Sequence, residues 1–220
     1  MKEKLIIIGT GLFAQMAKDY FMKLSSYDVV AFACHKRFKQ TDTIAGLPLH
    51  PIEIIHQIFP PDEVVVFVAI GYNKMNKIRQ TVYDEVKQMG YKCATFVYPN
   101  VKMWDSVELG DNVFIFEDNT IQPNTIIGNN SILWSGNHIG HHTIMGEHCF
   151  ISSHTVISGN CKIGNNVFIG VNSTLYDGII IGDKSLIGAG AIISKNTKPK
   201  SVYIESPTKL FSKDSEKIGF

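Results

Sequence analysis

The chain has 220 residues, of which 45% are hydrophobic and 19% charged, and its formal net charge is +1. That length can bury a real core, as one large domain or two modest ones. So even a charge balance gives no electrostatic reason to expect nucleic acid or an anionic membrane as partner, and no stretch approaches the roughly eighteen consecutive apolar residues of a membrane span.

The amino-terminal part reads as strands alternating with helices. Lys4 to Ile8 forms a buried strand, followed by Gly9-Thr10-Gly11 and a helix from Leu12 to Leu24. A second strand covers Asp28 to Ala33, and Pro51 opens a short helix to Phe59. Glu63 to Ile70 is a third strand, Gly71-Tyr72-Asn73 turns into a helix from Lys74 to Met89, and Lys92 to Val97 is a fourth strand. Such alternation predicts a small, Rossmann-like parallel α/β sheet over residues 1–96. Parallel sheets bind ligands where strand ends meet helix amino termini, which favour phosphate. Gly9, Thr10, Gly11, Gly71 and Asn73 stand at that edge, as candidates for a nucleotide-diphosphate site or simply as tight packing turns. A full dinucleotide fingerprint is absent, because Ala14 holds the last glycine position and no acidic residue ends strand two.

From Val97 the pattern changes. Every sixth residue through Ile193 is aliphatic, seventeen positions without an insertion, including Ile115, Ile121, Ile127, Leu133, Ile139, Met145 and Ile151. Four residues after each lies a mostly small or β-branched residue such as Val113, Thr125, Thr143, Thr155 or Ser173, and glycine often follows the aliphatic residue directly. A helix recurs at 3.6 residues and a strand at two, so a strict six fits neither. It fits a left-handed parallel β-helix over residues 97–195, in which three short strands make an eighteen-residue coil and stacked coils bury one aliphatic column. Glycine or asparagine at the bends tolerates the left-handed conformation. Residues 196–220 form a carboxy-terminal extension.

The amino-terminal apolar run is too short for a signal peptide, and Cys34, Cys93, Cys149 and Cys161 lack any metal or redox spacing. The expectation is a cytoplasmic protein with reduced thiols and no bound metal.

Five of the eight histidines (His138, His141, His142, His148 and His154) fall within seventeen residues of the repeat. None occupies an inward position, so they face outward or sit at coil corners. Histidine is the side chain best suited to general-base work near neutral pH.

These features together, an α/β domain ending at Phe96-Val97-Tyr98-Pro99-Asn100 and an unbroken six-residue repeat with a histidine pair midway, resemble one group of acyltransferases. These are the bacterial sugar acetyltransferases, among them the bacillosamine-type and perosamine-type N-acetyltransferases and the sialic acid O-acetyltransferase group. The resemblance implies a homotrimer that uses acetyl-CoA and acts on a nucleotide-linked amino sugar. In His141-His142-Thr143-Ile144-Met145-Gly146-Glu147 it implies His141 as general base. Gly159, one coil on, is implied to stabilise the oxyanion by its backbone N–H and to touch coenzyme A. Gly188, Ala189 and Lys195 resemble the last coil along the cofactor, and Ser206-Pro207-Thr208-Lys209 resembles the family's exit sequence.

Two departures stand out. The family has an acidic residue after the catalytic histidine, where this chain has His142, and a second expected histidine is replaced by Phe150. Glu147, Glu117 and Asp118 are candidate substitutes for the missing carboxylate. His138 is a candidate for substrate binding and a rival base. Other readings are O-acetylation of a sialic-acid-like sugar or polysaccharide hydroxyl, a metal enzyme like the β-helical carbonic anhydrases, and a non-catalytic scaffold. The histidine spacings do not match the zinc-binding pair of the carbonic anhydrases.

Overall fold

The computed structural model describes residues 2–206. Its amino-terminal unit contains β1 (Glu3–Ile8), α1 (Leu12–Leu24), β2 (Tyr27–Cys34), β3 (Thr43–Ile44), β4 (Leu47–Pro51), α2 (Ile55–Ile58), β5 (Val65–Val68), α3 (Lys77–Gln88) and β6 (Lys92–Cys93). The sheet order is β3-β4-β2-β1-β5-β6. All neighbours are parallel except β3 and β4, so the expected parallel sheet is mixed at one edge. That hairpin turns on Ala45 and Gly46, both at positive φ, a two-residue turn without an obvious signal in its sequence.

The strand expected over Lys92 to Val97 is two strands in different sheets. Lys92–Cys93 ends the α/β sheet, and Phe96–Val97 opens the β-helix. From there two-residue strands recur every six residues to Ile192–Ile193, stacked in parallel at eighteen-residue register on three faces of a left-handed β-helix. The first face runs from Phe96–Val97 to Leu186–Ile187. The second runs from Lys102–Met103 to Ile192–Ile193, and the third from Glu108–Leu109 to Ile180–Ile181. Every aliphatic repeat residue from Ile115 to Ile193 is buried, whereas the first three, at the open first coil, are not. Val202–Tyr203 pairs with Leu186–Ile187, so the start of the expected extension still stacks on the helix. Pro207, Thr208 and Lys209 of the exit sequence lie outside the described residues.

The corners divide their work differently from the sequence expectation. The left-handed residue comes one position before the small inward residue, at Asn112, Asp118, Asn124, Asn130, Gly136, His142, His148, His154 and onward. Asparagine and aspartate suit that conformation because their short polar side chains bond locally. The glycines after the aliphatic residues serve close approach instead. A Cβ on Gly128 would lie 2.6 Å from the backbone of Gly146 in the next coil.

One core crosses the boundary between the two units. Phe96, Phe114, Ile132 and Phe150 project outward from the first face and pack with Phe21, Leu5 and Phe67 of the α/β unit. Arg79 of α3 ties the units by hydrogen bonds. It is fully buried and donates to the carbonyls of Asn130, His148 and Cys149 on the β-helix and of Gly71 in the loop after β5. Burial pushes its pKa down to about 9, so it stays charged at neutral pH.

Candidate active site

Two regions carry the polar groups that the sequence singled out. The first is the corner between the second and third faces of the β-helix. Strand His138–Ile139 ends there and Ile144–Met145 begins. His141 and Gly159 occupy equivalent places in successive coils, and the Asn160 N–H donates to the His141 carbonyl at 2.7 Å. A Cβ on Gly159 would lie 2.6 Å from both Cε1 and Nε2 of His141, so the imidazole rests on the bare glycine. The Gly159 backbone is buried.

The Gly159 N–H is also uncapped among the described residues. At the same place in other repeats a side-chain oxygen one coil on accepts this donor: Asn129 caps Asp111 at 2.9 Å, Asn165 caps Glu147 at 2.8 Å and Asp183 caps Asn165 at 2.8 Å. Asp177 holds the capping position for Gly159. Its Oδ1 lies 3.0 Å from where a Gly159 side chain would begin, without making that bond.

His141 is held by its neighbours. Its N–H donates to Gln122 Oε1 at 2.9 Å, and its Nδ1 lies 3.1 Å from His142 Nδ1. His142, at positive φ, places its Nε2 3.1 Å from the side-chain amide of Asn124, one coil earlier. The carboxylates considered as partners are engaged elsewhere. Glu117 accepts from Tyr20 and Ser135, and Glu147 accepts from Asn129. Asp118 lies at the corner between the first and second faces.

The other candidates separate by corner. Lys195 falls on the His141 corner, three coils on, because Ile192–Ile193 stacks on Thr174–Leu175. At the ~4.8 Å strand spacing that is about 14 Å away. Gly188 and Ala189 follow Leu186–Ile187 and so lie at the corner between the first and second faces, away from His141 within one chain. His138 is half-buried on the second face between Thr120 and Val156. His148 is buried at the junction with α3, where its Nδ1 bonds Asn130 at 2.9 Å and its ring meets Tyr83 edge-on.

The second region is a cavity of about 910 Å³ at the carboxyl ends of β1 and β5, where the strand order reverses. Gly9, Thr10, Gly11, Gly71 and Asn73 all line it. The glycines do different things there. Gly9 has φ +137 and would put a Cβ 2.7 Å from the Ala69 carbonyl oxygen, so backbone geometry requires it. Gly11 and Gly71 have neither positive φ nor any atom within 4 Å of a would-be Cβ, so what they do is leave the cavity open.

The sequence reading missed His35, Arg37, Phe38, Gln40 and Lys74, which also line the cavity. The Arg37 guanidinium lies 4.8 Å from the Phe38 ring centre. No carboxylate lines the cavity among the described residues, and the amino terminus of α1 opens on it. Cations and a helix amino terminus together favour an anion. The loop itself is strained, since Lys74, Met75 and Asn76 all have positive φ. Arg79 holds it by donating to the Gly71 carbonyl and to Asn76 Oδ1.

Among the described residues no group of three histidine, cysteine or acidic side chains could hold a metal, and no helix is long and apolar enough to cross a membrane.

The stacked repeat has its counterpart among known families: the family described as "bacterial transferase hexapeptide (six repeats)" matches residues 124–159 and 160–195. The PglD N-terminal domain matches residues 4–86. The chain thus joins a PglD N-terminal domain to transferase hexapeptide repeats.

Solved structures share the whole architecture. A histidine-to-asparagine mutant of perosamine N-acetyltransferase from Caulobacter crescentus, in complex with CoA and GDP-perosamine, is 21% identical with a TM-score of 0.82, over 97% of this chain and 99% of that one. The acetyltransferase domain of PglB from Neisseria gonorrhoeae is 20% identical with a TM-score of 0.79, over 91% and 95%. WeeI from Acinetobacter baumannii is 19% identical with a TM-score of 0.76, again over 91% and 95%. No curated protein matches the sequence.

Proposed function

We propose that the protein is an acetyl-CoA-dependent N-acetyltransferase acting on a nucleotide-linked amino sugar. The observation that carries this reading is the His141 imidazole resting on the uncapped, buried N–H bearing residue Gly159. A general base and an oxyanion donor on adjacent coils are the two groups an acyl transfer needs.

In the reaction the sugar amine attacks the thioester carbonyl carbon and gives its proton to His141 Nε2. The Gly159 N–H donates to the oxyanion of the tetrahedral intermediate. The C–S bond then breaks, and the proton passes from His141 to the departing thiolate, leaving the amide and coenzyme A. Lys195, on the same corner, supplies positive charge for the phosphates of coenzyme A.

The open cavity with Arg37, Lys74 and the α1 amino terminus suits the sugar's nucleotide diphosphate. The relative solved with CoA and GDP-perosamine supports both ligand classes. The exposed apolar residues of the second and third faces, Val156 and Ile192 on one and Ile126, Ile144 and Ile180 on the other, support assembly with further copies of the chain, which we read as a homotrimer. Single chains do not leave such surface uncovered at no cost. Placement in the cytoplasm suits both substrates.

The test is acetyl transfer from acetyl-CoA to a panel of nucleotide-linked amino and hydroxyl sugars, with His141→Ala beside the wild type. Transfer to an amino sugar, lost by orders of magnitude in His141→Ala, supports the reading. Near-normal activity in the variant ends it, and transfer to hydroxyl sugars alone moves the assignment to O-acetylation.

A further inference from the structure

We propose that His142 and Asn124 are positioning residues that set the tautomer of the His141 base, a neutral relay standing where a carboxylate would otherwise hold the imidazole. The inference rests on His141 being the general base.

A base that accepts a proton at Nε2 must carry its own proton on Nδ1, and something must accept that N–H. The only hydrogen-bonding partner of His141 Nδ1 among the described residues is His142 Nδ1, at 3.1 Å. Two imidazole nitrogens bond only if one donates and the other accepts. His142 can accept at Nδ1 only if its proton sits on Nε2, and Nε2 lies 3.1 Å from the side-chain amide of Asn124. The amide therefore decides the chain of tautomers. With its NH2 toward His142, Nε2 accepts, Nδ1–H donates to His141, and the His141 proton is forced onto Nε2, where it blocks the base. With its carbonyl toward His142, Nε2–H donates to Asn124 Oδ1, His142 Nδ1 accepts from His141 Nδ1–H, and His141 Nε2 is free.

The two amide orientations differ by a half-turn of groups of nearly equal shape. In the structure the Asn124 NH2 faces His142 Nε2, and Asn124 Oδ1 has no other partner among the described residues, so the half-turn exchanges one hydrogen bond for another. The catalytic state is the one with the carbonyl toward His142. The relay is built by the repeat itself, because Asn124 and His142 are left-handed corner residues one coil apart, with φ of 61° and 56°.

Two charged groups share the corner with this pair. Asp177 approaches Gly159 from the next coil, and Lys195 lies two coils further from Gly159 along the same corner.

The experiment measures acetyl transfer across pH for wild type, Asn124→Gly, Asn124→Asp and His142→Asp. Glycine and aspartate both tolerate positive φ, so these variants keep the corner conformation. Asn124→Gly frees the tautomer and is expected to lower kcat about tenfold with KM unchanged. Asn124→Asp offers acceptors only, restores the catalytic tautomer and recovers the activity. His142→Asp sets an anion against His141 and moves the acid limb up by about one pH unit. Wild-type kcat and an unshifted pH profile in Asn124→Gly and His142→Asp overturn the relay while leaving His141 as base. A wild-type chain that transfers no acetyl group overturns the function beneath it, before any variant is read.

Discussion

Gly159 lies under the imidazole of His141, and a methyl group added to it would fall 2.6 Å from the ring. Gly159→Ala must therefore push the ring aside, which a side chain end can do cheaply. Displacing a catalytic group by about 1 Å costs on the order of 10²-fold in rate. The expected outcome is a kcat reduced about 10²-fold with a melting temperature near wild type, read by steady-state kinetics and calorimetry on the same preparation. Unchanged kcat removes the glycine from the site.

Gly71 borders the cavity with open space at its would-be Cβ and no positive φ. Gly71→Leu fills the space without straining the backbone. KM for the nucleotide sugar should rise at least about tenfold while KM for acetyl-CoA and the melting temperature hold, since only the cavity is altered. Equal loss for both substrates would mean that the cavity is not where the nucleotide sits.

Removing Arg79 leaves the carbonyls of Asn130, His148 and half-buried Gly71 without a donor among the described residues, while that of Cys149 keeps only the Ile132 N–H. Each such group costs about 1–3 kcal/mol, less the guanidinium's own desolvation, which the variant recovers. Arg79→Met is expected to lose about 3 kcal/mol or more, a fall in melting temperature of roughly 6–12 °C for a chain this long. Arg79→Lys rescues little, because three donors on a point charge cannot reach the same spread of acceptors. Thermal unfolding of the two variants side by side checks both statements.

Burial holds the His148 imidazole below its ordinary pKa of 6.5, against the smaller opposing pull of Glu147. The unfolded chain thus takes up this proton at higher pH than the folded one. Stability from His148 is complete above about pH 6.5 and is lost as the pH falls from there through the lower folded value. His148→Asn keeps a residue that tolerates the corner's φ of 61°. Melting temperatures at pH 7.5 and 5.5 should fall less steeply with acid in this variant than in wild type.

Much of the fold was legible because its signals are periodic or local. Leu12–Leu24 needed only its own pattern, and the six-residue aliphatic series named the β-helix and paired His141 with Gly159 by counting eighteen. The same count applied to His142 reaches Asn124, and applied to the residues before the aliphatic positions of the first face it reaches Phe96, Phe114, Ile132, Phe150 and Phe168, the column that faces the α/β unit. Those signals were present and unread. Arg37 and Phe38 left no comparable trace, since a short polar segment after β2 does not say which cavity it borders.

The β-helix and its register are written in the sequence alone, because a strict repeat imposes one inward residue per strand and each coil repeats the last. Tertiary structure alone decided how the corner functions. Whether Gly159 keeps an uncapped N–H and whether the His142 ring meets that of His141 both depend on where side chains finish in three dimensions. Register places a Cα, but hydrogen bonds depend on atoms up to several ångströms further out, and those are settled only when neighbouring coils and the α/β unit compete for the same space.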